Sequence, residues 1–262
     1  MHGYVYNSKG EAKLVPFVYA LMSSRRQCDY EAVFRALLEE LQDRHLVLAA
    51  EGILADYELS VWNAVAAVFG VPVHGCAFHW ATAVQRNCQK HGLEAAARTN
   101  KELASDMQQL KQMQFLGHNH ITGYFNAMTA KHSNLDPTHP MASVLRYFGR
   151  QWIHGKFPPS TWSQFKVTIR SNNGVEGWHK SFNVLVGKTP HLYSFIASIA
   201  SDAQSHCDDI AAQDFHRPCR PKQARREKSL QDLQKRYEEE TLGISEYLLK
   251  CAAIYRPKKF AA

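Results

Sequence analysis

No apolar run in this sequence reaches the roughly 18–20 residues that a helix needs to cross a bilayer, so no membrane span or membrane partner is expected. The opening stretch, MHGYVYNSKGEAK, lacks the apolar core of a secretory signal, which places the expected location inside the cell, in the nucleus or the cytoplasm. Its six cysteines (Cys28, Cys76, Cys88, Cys207, Cys219 and Cys251) are scattered, and none forms a C-x-x-C pair. A disulfide framework is therefore not expected, and most of these thiols read as small buried hydrophobes. No internal repeat is visible, which argues against a solenoid or propeller.

What is present is a globular balance: 262 residues, 45% hydrophobic and 21% charged. A chain of that size can bury a core without covalent staples. The formal net charge of +7 favours polyanionic partners through phosphate neutralisation and counterion release.

Along the chain, Tyr4–Asn7 and Leu14–Met22 read as two strands joined by a turn at Lys9-Gly10. Tyr30, Val33, Phe34, Leu37, Leu38 and Leu41 then recur with helical period, with Asp29 placed to cap the helix. An apolar segment at Leu46–Ala55 contains a strand ending near Asp56. A helix over about Tyr57–Phe69 follows, stopped by Gly70 and Pro72, then a short strand at Val71–Gly75 and a helix over Phe78–His91 closed by Gly92. This alternation predicts an α/β fold on a mixed or parallel sheet. From Leu93 to about His154 the pattern is helical throughout. Beyond Trp162–Ile169 come helices over Asn173–Val186 and Pro190–Asp209, and a polar tail with a charge-rich helix at Lys228–Glu240.

A few residues are placed for chemistry. Asp56 stands at the carboxyl end of a predicted strand, where open α/β sheets build their crevices; it also stands where a helix cap belongs. Glu176, in RSNNGVEGWHK, falls in the first turn of a helix capped by Asn172 or Asn173, where the dipole favours an anion, and His179 shares its face. The pair could hold a metal or act as acid and base, or be an ordinary solvated acid and boundary histidine. Cys76 and His79 have the C-x-x-H spacing of half a tetrahedral zinc site, with His179, His118 and His120 as candidates for the rest; a buried thiol and a backbone-bonded histidine is the alternative. The tract Arg217–Lys228, RPCRPKQARREK, reads either as a phosphate-contacting or nuclear-localisation segment or as a solvated linker.

Taken in order, VPFVYALM, ILADYELSVWNAV, HGCAFHWATAVQRNCQKHGL and RSNNGVEGWHKSFN followed by a Pro-His turn resemble the transposase domain of Mutator-like elements over roughly residues 1–200. The resemblance implies a ribonuclease-H-like mixed sheet flanked by helices. On that pattern residues 1–92 form the first part of the core, 93–160 an all-helical insertion, 161–212 the rest of the core and 213–262 a basic helical tail. It also implies metal-dependent DNA strand cleavage and transfer, with Asp56 and Glu176 as the second and third catalytic acids holding Mg²⁺ or Mn²⁺. Cys76, His79 and His179 become a zinc site or a brace beside them. Arg170, Asn172, Asn173 and Lys180 become contacts to transposon-end DNA, with a second copy of the chain as a further partner; Arg217, Arg220, Lys222, Arg225 and Arg226, in the basic tract beyond the resemblance, are nucleic-acid contacts on the phosphate-binding reading of that tract. The family's first strand and its aspartate would precede Tyr4–Asn7, so the expectation is a truncated core, inactive by itself. The alternative is a non-catalytic DNA- or protein-binding module derived from a transposase.

Overall fold

A computed structural model describes residues 1–213, 215 and 221–255. The described chain is mostly helical. In order it runs β1 (His2–Tyr6), β2 (Ala12–Pro16), α1 (Gln27–Asp43), β3 (Ile53–Ala55), α2 (Leu59–Val68), β4 (Val73–Gly75), α3 (Ala77–Lys90), α4 (Leu93–Thr99) and α5 (Lys101–Gln112). There follow α6 (His118–Lys131), α7 (Pro140–Phe148), α8 (Pro159–Trp162), α9 (Asn173–Val186), α10 (Leu192–Ala211), α11 (Pro221–Glu238) and α12 (Ile244–Tyr255). No helix of the described residues is long and apolar enough to cross a membrane.

Helices and strands alternate through the first ninety residues as expected, but the single mixed sheet does not form among the described residues. Four short strands make two separate pairs, β1 with β2 and β3 with β4. Of the long apolar run LVPFVYALM, only residues 14–16 belong to β2, with Pro16 facing His2. Proline has no N–H to give the ladder, but the Phe17 N–H beyond it still donates to the Met1 carbonyl at 3.0 Å. Asp29 is also displaced from its expected role: Arg26 is the N-cap of α1, and Asp29, one turn in, accepts a 3.0 Å bond from the Arg26 backbone N–H. That reciprocal contact satisfies a donor the helix start would leave orphaned.

The chain divides into two compact units that do not follow chain order. One comprises residues 1–53, 58–72 and 171–219. Here Asn7 sets the β1–β2 turn by accepting from the N–H groups of Lys9 and Glu11, at 3.0 and 2.9 Å, while Gly10 adopts φ +77°. Helices α1 and α2 meet through Phe34 and Phe69, ring centroids 4.9 Å apart. Helix α9 lies close on β2 because residue 174 is glycine: a Cβ there would stand 2.6 Å from Leu14. Asp202 of α10 gathers this unit, accepting from Tyr19 Oη at 2.6 Å and Trp178 Nε1 at 3.0 Å.

The other unit comprises residues 54–57, 73–170 and 220–262. Its core is aromatic. The Trp80 and Trp162 rings stack at 5.0 Å, and Trp162 donates to the Trp152 carbonyl at 3.0 Å. Helices α11 and α12 join it through stacked Tyr237 and Tyr247, and Tyr247 Oη donates to the Phe115 carbonyl at 2.8 Å. Buried Asp106 accepts from Lys131 at 2.7 Å and lies 2.9 Å from His132 Nε2, so its charge is compensated. Helix α11 begins at Pro221, seven residues before the helix expected at Lys228, so most of the basic tract is helical.

Candidate metal centre

Two strand ends and the first turn of a helix build the site. Asp56 follows β3 and Cys76 follows β4, and the Cys76 N–H donates to the Ala55 carbonyl at 2.9 Å, which draws the two ends together. Cys76 is the N-cap of α3, and its carbonyl accepts from Trp80 N–H at 3.0 Å. His79 lies three residues on, and side chains at that spacing share a helix face. The tertiary fold adds Asp56: its Oδ1 lies 2.8 Å from His79 Nδ1. One ligand atom from each of Asp56, Cys76 and His79 falls within 4.8 Å of the other two.

The three side chains differ in access. Cys76 is fully buried, whereas the His79 and Asp56 side chains are 36% and 50% exposed. The site therefore has a closed floor and an open mouth. Tyr57 makes much of the floor, its ring edge-on to Trp152 at 4.9 Å and to Phe157 at 5.0 Å. Burial, helped by the neighbouring Cys76 and Asp56, pushes the Tyr57 phenol far above its usual range, so it stays neutral and supplies no anion. Gln164 Nε2 holds the carbonyl of Gly75 at 3.1 Å, and the carbonyl of Arg170 accepts from Ala77 N–H at 2.8 Å. The turn that carries Cys76 is thus held on both sides.

The remaining predicted residues take other positions. Glu176 is exposed in the first turn of α9, as its spacing indicated, with Asn172 at the N-cap; the Asn172 side chain makes no capping bond. His179 lies beside Trp178 and His2, with ring centroids 4.8 and 6.4 Å away. His120 Nδ1 is engaged by the Tyr237 hydroxyl. Asn173 and Lys180 are exposed on α9. Arg170 faces inward, pairing with Glu227 and donating to the Val167 carbonyl at 3.1 Å. Lys222, Arg225 and Arg226 line a groove of about 660 Å³ with Pro221, Ser229 and Ile254. Arg217 and Arg220 lie outside the described residues.

Spacing alone could pair Cys76 with His79 but could not supply Asp56, twenty positions upstream of the cysteine. The usable signal was the rule that functional groups gather at the carboxyl ends of neighbouring strands. Tyr57 and Gly75, which shape the floor, left no mark in the pattern. Compared with family models, curated proteins and solved structures, the chain matches none.

Proposed function

We propose that this chain is a transposase-derived domain of the Mutator-like class, whose parent chemistry is divalent-metal-dependent cleavage and transfer of DNA strands. The observation that carries this reading is Asp56, half-exposed at the carboxyl end of β3, with the C-x-x-H residues beside it from the end of β4. That is the combination the resembling sequence segments would require of a ribonuclease-H-like core. Asp56 and Glu176 are the side chains that would hold Mg²⁺ or Mn²⁺, because hard cations take oxygen donors. Such ions, when bound, stabilise charge on the attacking and leaving oxygens of a displacement at phosphorus. The donors gathered around Asp56 itself are sulfur and nitrogen, so for this chemistry Glu176 is the necessary second carboxylate. Exposed Asn173 and Lys180, on the same helix as Glu176, suit contacts to the DNA backbone.

Iron-directed cleavage of the protein tests the pairing of the two acids. Fe²⁺ replaces Mg²⁺, and ascorbate with peroxide generates radicals that cut the backbone near the bound ion. A cut near residue 176 is expected together with one near 56, and the cut near 176 should vanish in Asp56→Asn and in Glu176→Gln. The cut near 176 should survive Cys76→Ser. Cuts near 56 alone would end this reading.

A second reading, a binding module that engages nucleic acid without cutting it, is favoured by the groove at Lys222, Arg225 and Arg226. These residues are spaced i, i+3 and i+4 on α11, and no acid lines the groove among the described residues.

A further inference from the structure

We infer that Asp56, Cys76 and His79 form a mononuclear site for a thiophilic divalent cation, zinc being the biological candidate, with a fourth position open to solvent. Two observations converge. The ligand atoms lie within 4.8 Å of one another. Tetrahedral zinc with bonds of about 2.0–2.3 Å places its ligands roughly 3.3–3.8 Å apart, so the 2.8 Å Asp56–His79 contact would open slightly while all three donors stay within reach of one ion. The donors are one sulfur, one nitrogen and one oxygen, a mixture that zinc accepts and that Mg²⁺, which demands oxygen, does not.

The exposure gradient says where the open position lies. Cys76 is sealed at the floor, while Asp56 and His79 stand at the mouth, so the coordination face not covered by protein points to solvent. Three protein ligands and an open fourth position are the arrangement of reactive rather than purely structural zinc sites. The chemical class that would fill the fourth position is water or a small anionic oxygen donor.

The supports are built for rigidity. Cys76 is tied to Ala55 through its N–H and to Trp80 through its carbonyl, and Gly75 is held by Gln164. Trp80 is fully buried and stacked on Trp162. Asp56 Oδ1 already lies against His79, so an ion would enter where these two groups now meet.

The site does not depend on the transposase reading, and either can fail while the other stands. Its test is a Co²⁺ titration of the full chain, stripped of metal and kept reduced, followed by absorption. One equivalent of Co²⁺ should produce a thiolate-to-cobalt charge-transfer band and intense tetrahedral d–d bands. Stoichiometric Zn²⁺ should erase both, and excess Mg²⁺ should leave them. Cys76→Ser should lose the charge-transfer band. Asp56→Asn should keep that band with affinity reduced at least about tenfold, the scale on which loss of ligand support is felt. His79→Gln, at the mouth, gives a second variant with less risk to folding, and circular dichroism checks each protein. The assignment is overturned if the folded wild type shows no band, if the band survives Cys76→Ser, or if Asp56→Asn binds as tightly as the wild type.

Discussion

The Tyr57 ring occupies the space that any side chain at residue 75 would need: a Cβ on Gly75 would stand 2.2 Å from Tyr57 Cζ. The same ring rests edge-on against Trp152 and Phe157, which limits its retreat. Gly75→Ala is therefore an overpacking substitution, with an expected cost of about 1–3 kcal/mol. Thermal melting should record a lowered midpoint, and Co²⁺ affinity should fall with it because residues 56 and 76 flank the displaced contact. An unchanged melting curve would show that the floor of the site is looser than its packing indicates.

Asp106 is a buried acid held in a network of ion pairs. Its side chain is 6% exposed and holds Lys131 and His132, and Lys131 also pairs with Glu102. The bond to Asp106, seconded by Glu102, raises the Lys131 pKa above its ordinary value. Removing one partner of such a network leaves buried charge uncompensated, and Asp106→Ala should cost about 3 kcal/mol, the lower end of the usual range because Lys131 keeps partial access to water. The exposed pair Arg44–Glu40 provides the contrast, and Glu40→Ala should change stability by no more than about 0.5 kcal/mol. Urea denaturation of the two variants checks both numbers.

His2 predicts an acid-side loss of stability. Burial, followed by the adjacent amino terminus, His179 and His206, lowers its pKa to about 4 from an ordinary 6.5. The unfolded chain then binds a proton that the folded chain refuses, so the stabilisation from neutral His2 is complete above pH 6.5 and drains away as pH falls towards 4. Melting temperature should decline across that window, and His2→Phe, which keeps a ring against Trp178, should flatten the decline. An identical profile in the variant would assign the acid sensitivity elsewhere.

The groove on α11 makes a salt-dependent prediction. Lys222 and Arg225 are exposed, while Arg226 lies 5.9 Å from the Tyr255 ring, a position that keeps its charge at the groove wall. Each phosphate neutralised contributes about 0.9 to the slope of log affinity against log salt. Replacing all three cations with alanine should therefore weaken binding to duplex DNA and reduce that slope by up to roughly 3. Fluorescence anisotropy across a salt series measures both. Equal slopes in wild type and variant would remove the groove from any role in nucleic-acid binding.

Helices were legible where the information is local. The apolar period at Tyr30, Phe34 and Leu41 marks α1, Gly92 closes α3 at φ +71°, and the segment NNGVEGWHK places Glu176 in the first turn of α9. Errors at their ends also have local causes. Asp29 satisfies the N-cap rule by type, yet Arg26 takes the cap position and Asp29 serves it from inside the helix.

The sequence by itself determined the helical periods, the hairpin turn at Asn7–Gly10 and the shared face of Cys76 and His79, since each depends on residues within about one helical turn or one tight turn. Tertiary structure decided that the strands pair two by two, that Tyr57 fills the space beside Gly75, and that Asp56 meets His79. Those contacts join residues far apart along the chain. They are selected by which buried surfaces pack and which strand ends bond, and no spacing rule contains that choice.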